Sequence, residues 1–598
     1  MTGLFNKILI VNLSSGKQQT LELEDKIYED YLGGRGLGVK LFTDKVSPKT
    51  DPLSKENILV FTVGPITGTS VSTSGRMSLV TKSPLTGTIF YSNTGGMFGF
   101  SLKRCGIDGL IVEGKSDMPC YLVVDGEKGI SIKSGNALWN LDTEETYEEI
   151  KKIEGDRSHS LMIGPAGENL VRIASIMNDG GRAFGRGGVG AVMGSKNLKA
   201  IVVKNGKQKT PVHNEELLKT YAKSAQDKIK ALPITRAALP LFGTAGILHV
   251  TNSLGMLPIR NFKKGFHKEA DKTGGEAIRK EIFSKSEACY GCSIRCGRYT
   301  KAGGMKGKGP EYESVWALGA NCEIFNLLKI TQANYYCNSL GLDTISMGVT
   351  ISCAMELQEK GLFPYPQMQF GNEDILIETV KNTAYRKGVG EELAEGSKLL
   401  AEKYGDPETA IQVKGLEIPA YDPRGAFGHA LGYATSNRGG CHLSGYLAAM
   451  ELFSAPKRVP RFTQQGKPDL LVLKQNQSAV EDSLVCCKFV GYALGFDFQS
   501  RFVTAITGYD FNISRLLEIG ERIYNLERLF NIKAGFTNKE DNLPDRFKNV
   551  PFKEGLSKDR IVPLDDMMKS YYNVRGWNEQ GIPEQKKLLE LGIIELNN

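Results

Sequence analysis

The stretch GGRAFGRGGVGAVMGSKNLKAIVVK, residues 180–204, decides how the first third of the chain is read. Within it, Gly185-Arg186-Gly187-Gly188-Val189-Gly190 satisfies G-x-G-x-x-G. In a dinucleotide fold a helix opens at the last glycine, and an acid about 20 residues on holds the ribose hydroxyl. Here the chain returns to a strand, Ala200–Lys204, and the first acid after Gly190 is Glu215. The motif therefore reads as a glycine turn in a β-rich domain, holding a phosphate-bearing cofactor in some way other than an NAD site does.

The surroundings point the same way. From Gly180 to Asn214, 35 residues hold seven Lys or Arg and no acid, and the 51 residues from Asn57 to Ile107 also lack one. That earlier stretch carries eight glycines with Arg76, Lys82, Lys103 and Arg104. Backbone N–H groups bared in glycine turns, with arginines and no carboxylate nearby, make a cradle for phosphate. A sheet surface that lost its acids by chance explains one such stretch better than two in one domain.

Asn57–Val63, Gly109–Glu113, Tyr121–Asp125 and Ala200–Lys204 are short β-branched runs bounded by Gly, Pro or Lys, and read as strands. Beyond a polar link, Lys204–Thr210, helical spacing takes over in Glu215–Leu232, Asp374–Lys387 and Glu391–Tyr404. From about Ile418 the chain reads as loop-rich, with a later helix at Ser514–Phe530. The expected class is α+β multidomain. A β-rich N-terminal domain at 1–208 precedes two mostly α-helical domains at 209–416 and 417–598, with no internal repeat in the sequence.

Composition excludes several function classes. At 598 residues the chain exceeds a single domain of ~150, and 41% hydrophobic with 24% charged residues is ordinary for a globular protein. Glycine is in excess, 68 of 598 against a usual share of about 7%. The N-terminus MTGLFNKILIVNL lacks a signal-peptide core, and no run of about 18 apolar residues occurs, so a cytoplasmic protein without membrane contact is expected. The net charge of +8 is spread along the chain without an aromatic-interleaved basic motif, which argues against nucleic acid and permits an acidic protein partner.

Eleven cysteines are too sparse for a disulfide scaffold. Cys289-Tyr-Gly-Cys292-Ser-Ile-Arg-Cys296 is C-x₂-C-x₃-C, and three soft thiolates within eight residues suit an iron–sulfur cluster or zinc. The spacing reverses the C-x₃-C-x₂-C loop that works with S-adenosylmethionine. A fourth ligand must come from afar: the pair Cys486-Cys487, or alternatively Cys322 or Cys337. Cys105, Cys120 and Cys353 read as core packing.

Taken together, the motifs resemble the tungsten-containing aldehyde ferredoxin oxidoreductase family, nearly end to end. The resemblance rests on GGRGLGVK (33–40), TSGRMSLVTKSP (73–84), SNTGGMFGFSLKRCGIDGLIVEG (92–114) and the 180–201 stretch. It continues through CYGCSIRC (289–296), GPEYESVWALGANC (309–322), NSLGLDTIS (338–346) and EDSLVCCKF (481–489).

This resemblance implies tungsten, or molybdenum in its place, between the dithiolene sulfurs of two pyranopterins (molybdopterin) whose phosphates Mg²⁺ bridges. A [4Fe–4S] cluster would lie beside one pterin, and the N-terminal domain would bind the pterins. Cys289, Cys292 and Cys296 would be cluster ligands, with Cys487 the fourth, five residues after Asp482 as in the family pattern. Arg76 would link cluster and pterin. Asn93 and Ala183 would offer carbonyls to Mg²⁺, Gly95 would adjoin the cofactor, and Arg182, Gly185 and Arg186 would contact phosphates. Two pterin-binding segments of pattern D-x-x-G-L-(C/D) map to Asn338–Asp343, with Gly341, Leu342 and Asp343, and to Asp482–Cys487. Asn338 replaces the leading aspartate of the first, and Val485-Cys486 replace Gly-Leu in the second.

The family oxidises aldehydes to carboxylic acids and passes electrons singly to ferredoxin. Glu313 and His442 match its proton-transfer positions. By residue type alone, Glu313 would be a helix-start carboxylate, and His442 a structural hydrogen-bonder in a glycine-rich loop. Some members hold an iron at a dimer interface through Glu-x-x-His; none of the six histidines here has Glu three residues before it, so that iron is not expected. A homodimer or separate electron-transfer subunits stay open as partners. The rival readings are an aromatic-thioester (benzoyl-CoA-type) reductase of the same family, with Cys322 as a metal ligand, and a non-catalytic zinc-stabilised binding protein.

Overall fold

The β-branched runs of the N-terminal third become strands, and in the computed structural model, which describes residues 1–593, they form two six-stranded sheets. The first contains β1 (Lys7–Asn12), β2 (Gln18–Glu22), β3 (Leu59–Thr62), β4 (Met77–Lys82), β5 (Ile89–Thr94) and β6 (Gly109–Glu113), ordered β2-β1-β6-β3-β4-β5. The second contains β7 (Cys120–Asp125), β8 (Gly129–Ser134), β9 (His159–Met162), β10 (Ile176–Asn178), β11 (Arg182–Phe184) and β12 (Leu198–Lys204), ordered β11-β10-β9-β12-β7-β8. Each sheet has an antiparallel hairpin at both edges and one parallel pair, β1 with β6 and β7 with β12, and its other neighbours run antiparallel. The second sheet thus repeats the first, strand for strand in chain order. Helices at Gly34–Lys45 and Thr143–Glu154 fill matching places, as do Phe98–Lys103 and Val189–Ser195. The sequence hides this repeat because matched strands share their place in the topology rather than residues or burial, KILIVN being partly exposed and CYLVVD buried throughout.

The helix Val189–Ser195 corrects the direct return to a strand expected after the glycine motif. A seven-residue helix does open there, N-capped by Gly188 at φ 68°, before β12 begins. VGAVMGS is buried throughout and contains two glycines, so neither periodicity nor propensity announces it.

Beyond residue 204 the chain is mostly helical. Asn214 caps Glu215–Ala231 through the Leu217 N–H. The expected 391–404 helix is two, Val389–Leu393 and Ser397–Lys403, parted at Gly396, whose φ of 83° no helix interior accepts. The region past Ile418, expected to be loop-rich, contains Phe427–Thr435, buried along its whole length and so without the polar face that marks a surface helix. Within the helical part, β13 (Phe283–Glu287), β14 (Gly297–Ala302) and β15 (Met305–Lys308) form a small antiparallel sheet whose first connection is the cysteine loop.

Apolar clusters cross the boundaries at 208 and 416. One joins Ile8, Val60 and Val80 to Val480, Ile506 and Phe530; another joins Trp316 and Tyr335 to Leu431, Tyr524 and Tyr571. Arg35, fully buried, donates twice to Glu527 at 2.7 Å and lies 3.6 Å over the Tyr91 ring. Loss of one partner from such a buried pair costs about 3–5 kcal/mol, so this pair fastens the N-terminal domain to the helix Ile513–Ala534. No helix among the described residues is long and apolar enough to cross a membrane. Residues 594–598 of the expected third domain lie outside the described residues.

Candidate active site

Cys289, Cys292 and Cys296 lie on the turn from β13 to β14, and Cys487 follows the end of the helix Lys467–Leu484. All four line one cavity of about 340 Å³. Burial raises the thiols of Cys292, to about 11, and of Cys296 and Cys487, and neighbouring cysteines add to each. Among the described residues, no three His, Cys, Asp or Glu side chains gather closely enough to hold one ion. Four thiols lining one cavity, three of them disfavoured as bare thiolates by burial, suit a centre of soft metal that binds them as thiolates. Cys322 and Cys337 are fully buried among the helices, and Cys486 is a core residue. The Cys322 thiol faces the carbonyls of Ala317 and Gly348 and lines neither this cavity nor its neighbour.

That neighbour is a polar cavity of about 260 Å³ that shares Arg76, Arg182, Glu287 and Glu311 with the first. Asn93 on β5 and Ala183 on β11 reach it from the matching edge strands of the two repeats, joined by Gly95, Gly185, Asn338, Leu342 and Asp343. Arg76 donates through Nε to the Asn93 side chain and through Nη2 to its carbonyl at 3.1 Å. Burial opposes the charge on Arg182, and Cys289 and Glu311 more than offset it, which places this guanidinium beside the thiols as well. A Cβ on Gly95 would meet Cys289 Sγ at 2.6 Å, whereas one on Gly185 would find nothing nearer than Asp343 at 3.8 Å. The Asn93 amide nitrogen has no partner. An open glycine turn, two arginines and an unpaired amide suit a phosphate-bearing group.

Four sequence candidates do not line either cavity. Arg186 is occupied by protein, donating to the carbonyls of Glu417 (2.7 Å) and Gly440 (2.9 Å) and pairing with Asp343 at 3.3 Å. Asp482 pairs with Lys488 at 3.2 Å and Arg35 at 3.5 Å. Gly341 and Val485 each end a helix in the left-handed conformation, at φ 77° and 57°.

Glu313 and His442 meet in the cysteine-lined cavity. Glu313 lies in the first turn of Tyr312–Leu318; its Oε2 accepts the Ala420 N–H at 2.9 Å. Its Oε1 has no hydrogen bond and stands 3.8 Å from His442 Nε2, while His442 Nδ1 is also unpartnered. Burial pushes the Glu313 carboxyl up to about 8 and holds His442 well below its usual range, so at neutral pH the pair is mostly uncharged. Sequence reading missed Glu311, Lys488 and the tyrosines 421, 446 and 492 of the same cavity. Glu311 and Lys488 lie inside the matched motifs, two residues before Glu313 and one after Cys487, where their charge was the available signal. The tyrosines are far apart in sequence and carry no such signal.

A duplicated mixed-sheet domain facing one polar cavity, with four thiols and a buried Glu–His pair alongside, is the architecture of a cofactor-binding protein. The family model for the aldehyde ferredoxin oxidoreductase N-terminal domain matches residues 8–205, and the one for domains 2 and 3 of that enzyme matches residues 220–593. The tungsten-containing aldehyde ferredoxin oxidoreductases of Pyrococcus furiosus and Thermococcus kodakarensis are each 44% identical over 605 residues, covering 100% of both chains. The chain belongs to the aldehyde ferredoxin oxidoreductase family and is an oxidoreductase of that class. The active-site complex BamBC of benzoyl coenzyme A reductase, solved with 1,5-dienoyl-CoA, shares the fold: TM-score 0.86 at 24% identity, over 99% of this chain and 97% of that one.

Proposed function

We propose that the protein oxidises aldehydes to carboxylic acids in the cytoplasm and passes the electrons singly to ferredoxin. The net change is RCHO + H₂O → RCOOH + 2 H⁺ + 2 e⁻. Cys289, Cys292, Cys296 and Cys487 would hold a [4Fe–4S] cluster, with Arg76 and Arg182 between it and the phosphates of two pterins. Asn93 and Ala183, equivalent positions on equivalent strands, would face Mg²⁺. When bound, the tungsten–bis-pterin centre supplies the two-electron chemistry.

The chain's own residues handle position and protons. His442, kept neutral by burial, presents an N–H to the aldehyde carbonyl. Glu313 is held at one oxygen by the Ala420 N–H and keeps the other free, so once ionised it takes up the proton released. Tyr421, Leu443, Tyr446 and Met450 form the wall that keeps water from this pair. The observation that carries the reading is the free Glu313 oxygen facing His442 in the cavity that also holds four thiols. Elemental analysis with an aldehyde panel and a viologen acceptor tests it. Iron with tungsten and aldehyde-dependent viologen reduction are expected; zinc alone, or no turnover on any aldehyde, would reject it.

A further inference from the structure

The cysteine loop has two faces, and only the inner one belongs to the site above. On the other side, where the two acid-free stretches reach the surface, a groove of about 400 Å³ opens. Tyr290, between the first two cysteines of the loop, stacks flat on Phe100 with ring centroids 3.7 Å apart and planes at 12°. Around these rings stand Arg104, Lys207, Lys209 and Lys219 against a single lining acid, Glu215. Lys219 faces Glu215 at 3.5 Å with both side chains about 70% exposed, and Lys207 pairs with Glu127 outside the groove. Among the described residues, Arg104 and Lys209 face no carboxylate. Exposed pairs of this kind contribute at most about 1 kcal/mol, so they open readily to an incoming acid.

Internal phosphate binding does not explain this charge, since the inner cavities use Arg76 and Arg182. We propose that the groove docks an acidic one-electron carrier, a ferredoxin, directly over the cysteine loop. This rests on the redox reading above and adds where the carrier sits. A flat aromatic pair ringed by long cations gives a small contact suited to the brief encounters of electron carriers, which bury less than about 1,200 Å². The cations would set the association rate and orientation, and salt would screen them. The cysteines behind Tyr290 would hold the cluster that supplies single electrons, so that a carrier docked here would be reduced by one electron as the cluster is oxidised by one.

The test titrates the intact holoenzyme with an oxidised acidic [4Fe–4S] ferredoxin at low salt, by calorimetry. Wild type should bind and should weaken about tenfold or more on raising the salt to 0.3 M. The double variant Lys209→Glu, Lys219→Glu should bind at least tenfold more weakly, while Lys209→Arg, Lys219→Arg binds normally. Viologen-linked aldehyde turnover and iron content should be the same in all three. Failure of wild type to bind, or equal binding by the charge-reversed variant, overturns the docking site. If charge reversal abolishes binding yet wild type oxidises no aldehyde with viologen, the docking site stands and the aldehyde reading falls.

Discussion

Replacing Glu313 by glutamine removes a proton site and little else. The amide oxygen can still accept the Ala420 N–H at 2.9 Å, and the amide nitrogen then takes the place of the oxygen 3.8 Å from His442. What is lost is a carboxyl that burial has pushed up to about 8. The sign follows from that direction: below about pH 8 the group is protonated and cannot accept a proton, and above it the group is an ionised base. At pH 7 about a tenth of the enzyme carries the active form, so kcat/KM for an aldehyde should rise about tenfold from pH 7 to a plateau above pH 9. In the Glu313→Gln variant the amide cannot take the proton at any pH. Turnover should fall by about 10²–10⁴, roughly 3–5 kcal/mol in the barrier, and the inflection near pH 8 should vanish. Viologen-linked oxidation across pH 6–10 measures both, with tungsten and iron determined on the same samples. A glutamine variant that keeps more than a tenth of wild-type turnover, or retains the inflection, refutes Glu313 as the base. Loss of tungsten with activity would make its role structural.

His442→Asn should cost about 10²–10⁴ in turnover with both metals retained, because the unpartnered Nδ1 shows that the imidazole is not needed to hold the loop; metal loss on this substitution would contradict it. Cys292→Ser puts a hard hydroxyl where a soft thiolate is needed, and the purified variant should lose most of its iron and visible absorbance. Iron near four per chain would remove these cysteines from the ligand set. Arg76→Ala leaves the Asn93 side chain and carbonyl without their donor, a loss of about 1–3 kcal/mol, and should slow cluster reduction more than aldehyde binding in rapid-mixing spectra.

Local features of the site were legible because they are local. The cysteine loop, the glycine turns and the PEYES carboxylate are each written in a few adjacent residues whose chemistry is restrictive. Charge also carried information: the missing acids traced both the inner cavity and, farther along the same stretches, an outer groove. What escaped was set by burial on all sides. Val189–Ser195 and Phe427–Thr435 have no polar face to mark their period, and the tyrosine wall assembles from residues distant in sequence. Arg186 shows the opposite failure. It stands in the most phosphate-like stretch of the chain, yet the fold brings the carbonyls of Glu417 and Gly440 to it first.

The departure of Asp482–Cys487 from D-x-x-G-L-(C/D) is explained by the duplicated fold. Gly64 lies two residues past the end of β3 and Gly164 two past the end of β9, equivalent places in the two halves. A Cβ on Gly64 would stand 2.6 Å from the Leu484 carbonyl oxygen, and one on Gly164 would stand 2.5 Å from that of Leu340. Each half therefore receives a helix end against a glycine supplied by the sheet. Gly341 and Val485 then turn the chain in the same left-handed conformation, after Leu340 and Leu484 respectively. For a β-branched residue that conformation costs about 1–2 kcal/mol. Val485 is fully buried against Gly34, and burying such a side chain contributes about 1.5–3 kcal/mol, enough to offset the strain. The close approach needs glycine on the sheet side, while the helix side can take either residue. This is why one segment can break the pattern and still deliver Cys487 to the cavity where its counterpart delivers Asp343 to the next.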